Sequence, residues 1–333
     1  MENQKMKALV LEEFGQPLVL KEIDIPQPNQ GEVLIKVEAT PINPSDASFM
    51  KGSYSSQRKA PCVPGFEGSG VVVKSGGGEV ADSLLNKRVA FTAGGQNGTF
   101  AQFTTANANF VLPIEDDVTF NQAASSFVNP LTVIAMLETV QQANVKAVVQ
   151  SAAASALGRM MVRYFKQHGI EVINIVRRPE QIQILKNEGA NIVLNSNQED
   201  FLPTLKTHAT ELNATIFFDA VAGPLTGQVL SSMPNGSTAY VYGALSLQEA
   251  SISPTQLIFR DQSIKGLWLT KWLTQISKEQ LKSAILKLQK LIKTELRTEV
   301  AQECSLQEGS QAVRQYIKNM SSGKILFKPQ LSQ

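Results

Sequence analysis

The segment Ser151-Ala-Ala-Ala-Ser-Ala-Leu-Gly158 consists almost wholly of small residues. Between a strand and a helix, such a turn can bring backbone N–H groups against a pyrophosphate. No bulky side chain holds the ligand away, and the helix N-terminus adds partial positive charge. Against the pattern G-x-G-x-x-G only Gly158 is retained, with Ala152 and Ser155 as small substitutes. From these residues alone an Ala-rich helix start packed on a sheet reads equally well. About 20 residues further on, where a dinucleotide site reads the ribose, the apolar run 171–176 ends in Arg177-Arg178. An acid at that place suits a 2′-hydroxyl, whereas guanidinium groups suit a 2′-phosphate. A solvated basic pair at a strand end is the plain alternative. Turn, strand and arginine pair taken together favour NADPH.

Other chemistry-bearing residues are few. The 333-residue chain has two cysteines, Cys62 and Cys304, and two histidines, His168 and His208. That excludes a disulfide-stapled scaffold and a zinc module of clustered Cys and His, while a single disulfide stays open beside the simpler reading of two free thiols. His168 precedes Gly169 at a helix end, where a cation suits the dipole, and neither histidine has a partner acid or nucleophile at a telling spacing. With 31 Lys+Arg against 29 Asp+Glu the net charge is +2, so no basic imbalance points to nucleic acid. Apolar residues never run together for the roughly 18 positions a membrane span needs, and the N-terminus does not read as a signal peptide. These features lead to the expectation of a cytoplasmic protein that binds a small molecule.

The elements that must position these residues fall into two textures. Up to about residue 115, short alternating runs (6–12, 19–24, 32–39, 71–73, 88–91, 100–104) are broken by Pro, Asn and Gly turns, an all-β pattern. Thr119 and Gln122 form a capping box for a helix to about residue 128. Asn129-Pro130 then reads as an N-cap and first-turn proline for a helix over 131–141. Six apolar strands follow, at 147–151, 171–176, 192–195, 214–219, 237–242 and 263–269, most separated by helices. Strands apolar on both faces belong in a parallel sheet covered by helices on both sides. An amphipathic helix over 278–294, a capping box at Ser305 and Glu308, and a strand over 324–327 complete the chain. The fold class expected is therefore α/β, a doubly wound parallel-sheet domain over 126–270 plus a discontinuous β-rich domain over 1–125 completed by 271–333.

Taken in order, these residues resemble the medium-chain dehydrogenase/reductase superfamily over essentially the whole chain, with a GroES-like catalytic domain and a Rossmann domain. Asn43-Pro-Ser-Asp46 stands where zinc alcohol dehydrogenases carry a cysteine in C-x-[ST]-D. Pro64-Gly-Phe-Glu-Gly-Ser-Gly70 matches their G-H-E segment with Phe66 for the histidine, and Asn129-Pro-Leu-Thr132 lies at the third ligand. All three metal positions hold non-ligands, so the resemblance is to the zinc-independent branch of quinone oxidoreductases and 2-enoyl thioester reductases, and no metal is expected. Asn43-Pro-Ser-Asp46 followed after seven residues by Tyr54, together with Asn174-Ile-Val-Arg177-Arg178-Pro, Tyr242-Gly243 and Gly266-Leu-Trp268-Leu, is closer to the enoyl reductases. Departures are Ala156 for a usual glycine, Ala47-Ser48-Phe49 after the first motif, and Leu267 for a usual Phe.

The resemblance implies NADPH-dependent hydride transfer to the β-carbon of a 2-enoyl thioester, with Tyr54 donating to the thioester oxygen or α-carbon. A phenol that keeps its proton at neutral pH can do this. The resemblance also places Asn129 and Thr132 at the nicotinamide, and the backbone of Ala154, Ser155, Ala156 and Leu157 at the pyrophosphate. Arg177 and Arg178 go to the 2′-phosphate. Tyr242, Gly243, Leu267, Trp268 and Leu269 fall near the nicotinamide and acyl channel, and Lys324 reaches from the tail. Asn43 and Trp268 would line the substrate pocket, and Glu67 would be a structural acid bonded near Asn43. Homodimerisation follows as a family expectation. A quinone oxidoreductase is the alternative, and a non-catalytic NADPH-binding sensor is the alternative of another class.

Overall fold

The structure, a computed structural model, describes residues 4–54, 58–93 and 95–331. Two compact units are present, Met1–Asn129 with Ile285–Gln333, and Pro130–Ala284.

The first unit is built on a seven-stranded sheet. Its path runs Val300–Cys304, Lys324–Phe327, Glu32–Pro41, Glu67–Ser75, Arg88–Thr92 and Val111–Pro113, and Phe103–Asn107 also pairs with Glu32–Pro41. The strand Lys324–Phe327 lies antiparallel to the end of Glu32–Pro41 and parallel to Val300–Cys304, so the tail completes the sheet. Val33, Ile35 and Val37 alternate into a core with Val72, Val89 and Phe91. The Asn43-Pro-Ser-Asp46 motif opens a short helix, Pro44–Met50, in which Asn43 and Asp46 cap each other's backbone. That helix and the strand Val300–Cys304 had no counterpart among the sequence expectations.

The second unit holds six parallel strands in the order Ile192–Asn195, Glu171–Val176, Ala147–Gln150, Ile216–Asp219, Thr238–Val241 and Ser263–Gly266. This is the doubly wound arrangement expected from the apolar runs. Its order reverses between Ala147–Gln150 and Ile216–Asp219, and a crevice opens outside the strand ends at such a point.

Several boundaries differ from the sequence expectation: the helix that Thr119 caps is only Phe120–Ala124, ending short of residue 128, and the tail helix is Lys278–Leu291. The long helix is Val128–Gln142, so Asn129 lies inside its first turn instead of capping it. Pro130 is tolerated there because first-turn N–H groups have no intrahelical partner. The last strand ends at Gly266, and Leu269 begins a helix, Leu269–Gln275, with Trp268 at its N-cap. The Trp272 indole donates to Glu138 at 2.9 Å, which ties that helix to the second unit beyond residue 270. No helix among the described residues is long and apolar enough to cross a membrane.

Candidate functional site

In the first unit a buried polar chain surrounds Asn43. The Asn43 side chain donates from Nδ2 to Glu67 Oε1 at 2.9 Å, and its backbone N–H donates to Asp46 Oδ2 at 2.8 Å. Lys324 is 1 % exposed and donates to the Ile42 carbonyl at 3.0 Å, to the Tyr316 hydroxyl at 3.1 Å, and to Asn43 Oδ1. An ammonium has three donors, and all three are used within this unit. Glu67 Oε2 accepts the backbone N–H groups of Phe127 and Val128, both at 3.0 Å. It thereby caps the helix that Asn129 was expected to cap, with an anion at the positive end of the dipole. Asn129 and Thr132 are buried in that helix's first two turns.

Burial dominates the protonation of the two acids. It pushes the Asp46 carboxyl up to about 7, against the pull of the Asn43 N–H and of Lys324. Asp46 Oδ1 is buried without a hydrogen-bond partner among the described residues. Glu67 is also raised by burial, opposed by the Val128 N–H, Lys324 and Asn43.

Tyr54 follows the Pro44–Met50 helix and is half-buried, its ring 5.3 Å from that of Phe66. Phe66 in turn meets Phe49 edge-on at 5.7 Å, and the Arg58 guanidinium lies 5.5 Å from both rings. Phe66 therefore forms part of an aromatic and cationic stack that supports the tyrosine.

In the second unit every expected site residue except Thr132, which lies in the helix Val128–Gln142, follows the C-terminal end of a parallel strand, so these lie along one edge of the sheet. After Ala147–Gln150 the turn places Ala152 at φ +49, and Ser155 caps the helix Ala156–Gln167, its Oγ accepting the Gly158 N–H at 3.1 Å. A Cβ on Gly158 would clash with the Ala153 carbonyl, so helix and turn approach as closely as only glycine allows. Ala154 and Ala156 complete this small-residue start, and the Leu157 side chain is buried. After Glu171–Val176 the backbone N–H groups of Arg177 and Arg178 both donate to Gln181 Oε1 at 3.1 Å. The Arg177 side chain is exposed, and no carboxylate pairs with it among the described residues, whereas Arg178 Nε lies 3.0 Å from Glu180. Tyr242 and Gly243 follow Thr238–Val241. The Tyr242 hydroxyl is buried without a hydrogen-bond partner among the described residues, its proton held more tightly by burial and by nearby Asp219. A Cβ on Gly243 would clash with the Ala220 carbonyl. Leu267 bonds back to Val241, and Trp268 is 47 % exposed.

Sequence reasoning missed Asp219, which organises this edge. Its Oδ1 accepts from Ser151 Oγ at 2.7 Å and from the N–H groups of Val221 and Ala222 at 2.8 and 3.1 Å, while Oδ2 accepts from Thr226 at 2.7 Å. Ser151 Oγ accepts the Ala220 N–H at 2.9 Å. One carboxylate thus locks the two strand ends flanking the switch point. The available signal was an acid closing an otherwise apolar strand four residues before Gly223-Pro224.

The turn, with its clearance limits, and the unpaired Arg177 fit a pyrophosphate and a 2′-phosphate. In the first unit the structure brings Asn43, Lys324 and Glu67 together, with Tyr54 on the adjoining aromatic stack.

Comparison with known proteins adds the following. Residues 29–116 match the alcohol dehydrogenase GroES-like domain, and residues 156–289 match zinc-binding dehydrogenase. The mitochondrial enoyl-[acyl-carrier-protein] reductase of Xenopus tropicalis is 30 % identical over 282 residues, covering 80 % of this chain and 78 % of that protein. The Bos taurus protein of the same name is 29 % identical over 301 residues, 88 % of this chain and 80 % of its own length. Among solved structures, a candidate NADPH:quinone reductase from Mesorhizobium loti is 36 % identical, with a TM-score of 0.91 and coverage of 99 % of this chain and all of its own. The quinone oxidoreductase of Thermus thermophilus, solved also with NADPH, is 25 % identical with a TM-score of 0.79, covering 97 % of this chain and all of its own.

Proposed function

Because the chain belongs to the medium-chain dehydrogenase/reductase superfamily, in its zinc-independent enoyl reductase and quinone oxidoreductase branch, we propose that it reduces an activated C=C bond with NADPH, the substrate being a 2-enoyl thioester. When bound, NADPH supplies the hydride that adds to the β-carbon of the enoyl group. The turn offers the backbone N–H groups of Ala154, Ala156 and Leu157 to the pyrophosphate, that of Ser155 being bonded to the Ala152 carbonyl at 2.9 Å, and the exposed Arg177 guanidinium offers charge-assisted bonds to the 2′-phosphate. Asn129 and Thr132 present polar side chains at the start of a helix whose N-terminus Glu67 holds fixed. Tyr54 donates its phenolic proton where negative charge develops on the thioester, and Phe66 keeps its ring in place.

The thioester reading is carried by that tyrosine, a half-buried phenol on a rigid aromatic support after the Asn43-Pro-Ser-Asp46 helix. A quinone as the hydride acceptor is the second reading. It is favoured by the 36 % identity to the candidate NADPH:quinone reductase, and it has no need of a thioester-directed donor. Loss of nicotinamide absorbance on mixing protein, NADPH and crotonyl-CoA tests the first reading. Tyr54→Phe is expected to lower kcat by about a hundredfold or more. Turnover with benzoquinone that ignores Tyr54→Phe, without thioester turnover, selects the second reading. Tight NADPH binding with neither activity leaves a sensor.

The reading extends to a homodimer. The strand Ser263–Gly266 is the sheet's edge, and the preceding helix, Pro254–Arg260, exposes Ile258 and Phe259 at 69 % and 77 %.

A further inference from the structure

We propose that Lys324 is a positioning residue whose buried ammonium fixes the polarity of the Asn43 amide, and through it the carboxylate that anchors the helix Val128–Gln142. The chemistry of the four groups leaves one consistent orientation. An ammonium only donates, so the Asn43 atom facing it is Oδ1. The Nδ2 group must then face the other way, where it donates to Glu67 Oε1. With that oxygen engaged, Oε2 is left to receive the Phe127 and Val128 N–H groups. Asn43 stands where the zinc-binding branch carries a metal ligand. Here an internal cation holds its side-chain oxygen instead.

Without the cation the amide loses the partner that fixes its orientation. A flipped Asn43 would set its carbonyl oxygen against the Glu67 carboxylate, and the buried acid would take up a proton or leave the helix N-terminus. Lys324 has all its donors engaged within this unit, at Ile42, Asn43 and Tyr316. It therefore acts on Asn129 and Thr132 through the helix start. The link to cofactor rests on the function proposed above, whereas the effect on the helix does not.

Amide hydrogen exchange in the free, full-length protein tests the coupling. Lys324→Met should speed exchange at Phe127 and Val128 by about tenfold. Val72, whose N–H bonds the Lys87 carbonyl elsewhere in the unit, should exchange at the wild-type rate. Asn43→Ala keeps the cation but cuts the chain, so it should reproduce the effect and serve if Lys324→Met does not fold. Unchanged exchange at Phe127 and Val128 in Asn43→Ala, or acceleration everywhere including Val72, overturns the proposal. Fluorescence titration with NADPH supplies the second readout. Each single variant should weaken binding, and the double variant should be no worse than Asn43→Ala alone. Losses that multiply would mean that Lys324 acts independently of Asn43 and would equally overturn it.

Discussion

Asp46 and Arg177 show how opposite environments give single residues measurable roles. Asp46 is fully buried, with one oxygen on the Asn43 N–H and the other without a hydrogen-bond partner among the described residues. Its carboxyl is raised to about 7, against about 3.9 for an aspartate in an unfolded chain. Between these values the folded protein holds a proton that the unfolded chain has released. Stability from this group is therefore fully present below about pH 4 and is lost as pH rises through 7. Lys324 and Arg58 oppose the shift, and Glu67, itself raised, adds to it. Thermal denaturation from pH 5 to pH 8 should show a falling Tm in the wild type and a shallower fall in Asp46→Asn, whose amide imitates the protonated acid. Parallel curves would refute the assignment. Arg177, by contrast, is exposed and unpaired among the described residues. Arg177→Ala should weaken NADPH about tenfold or more, from loss of a charged hydrogen bond, while leaving NADH nearly unchanged. Titration with both nucleotides checks this, and equal losses would remove the 2′-phosphate from the reading.

At the scale of elements, the small-residue turn is the most exacting piece of backbone. Gly158→Val would drive its side chain into the Ala153 carbonyl and push the helix Ala156–Gln167 off the strand ends. A loss of about 1–3 kcal/mol in denaturant unfolding is expected, the range for overpacking, together with loss of NADPH binding. This turn was legible in the sequence because its requirement is local, small residues between a strand and a helix. The six strands were legible for the same reason, most of them being short runs apolar on both faces. The beginning of the long helix was not. Asn129-Pro130 carries the local signature of an N-cap, but Glu67 caps the helix two residues earlier from a strand some sixty positions upstream. Local propensity is overridden wherever a distant side chain satisfies the orphan N–H groups. The end of the last strand misled in the same way, since Leu267-Trp268-Leu269 is as apolar as a strand, yet the strand stops at Gly266, Trp268 is an N-cap and Leu269 begins a helix. At the candidate site, the types and order of the residues were readable. The bond between Asn43 and Glu67 was expected from the resemblance and is present, whereas the Lys324 link to Asn43 was not foreseen, because it joins segments that only the folded sheet brings together.

For the whole molecule, the proposed homodimer would cover the exposed apolar helix beside the sheet edge. Phe259→Asp should convert a dimer to monomer in sedimentation velocity while leaving the far-ultraviolet spectrum intact. A wild type that sediments as a monomer would refute the dimer. The two units also differ in how their chains are assembled. Residues 130–284 supply every strand of the parallel sheet in one continuous stretch. In the first unit, Lys324–Phe327 lies between Val300–Cys304 and Glu32–Pro41, so its sheet joins segments nearly three hundred residues apart. During synthesis the nucleotide-type unit can close while the ribosome is still translating the tail. The β-rich unit must wait with the Thr40–Pro41 end of Glu32–Pro41 lacking its tail strand, and without the lysine that sets its buried chain of bonds. The order of translation thus makes the earlier-made half of this protein the later one to mature.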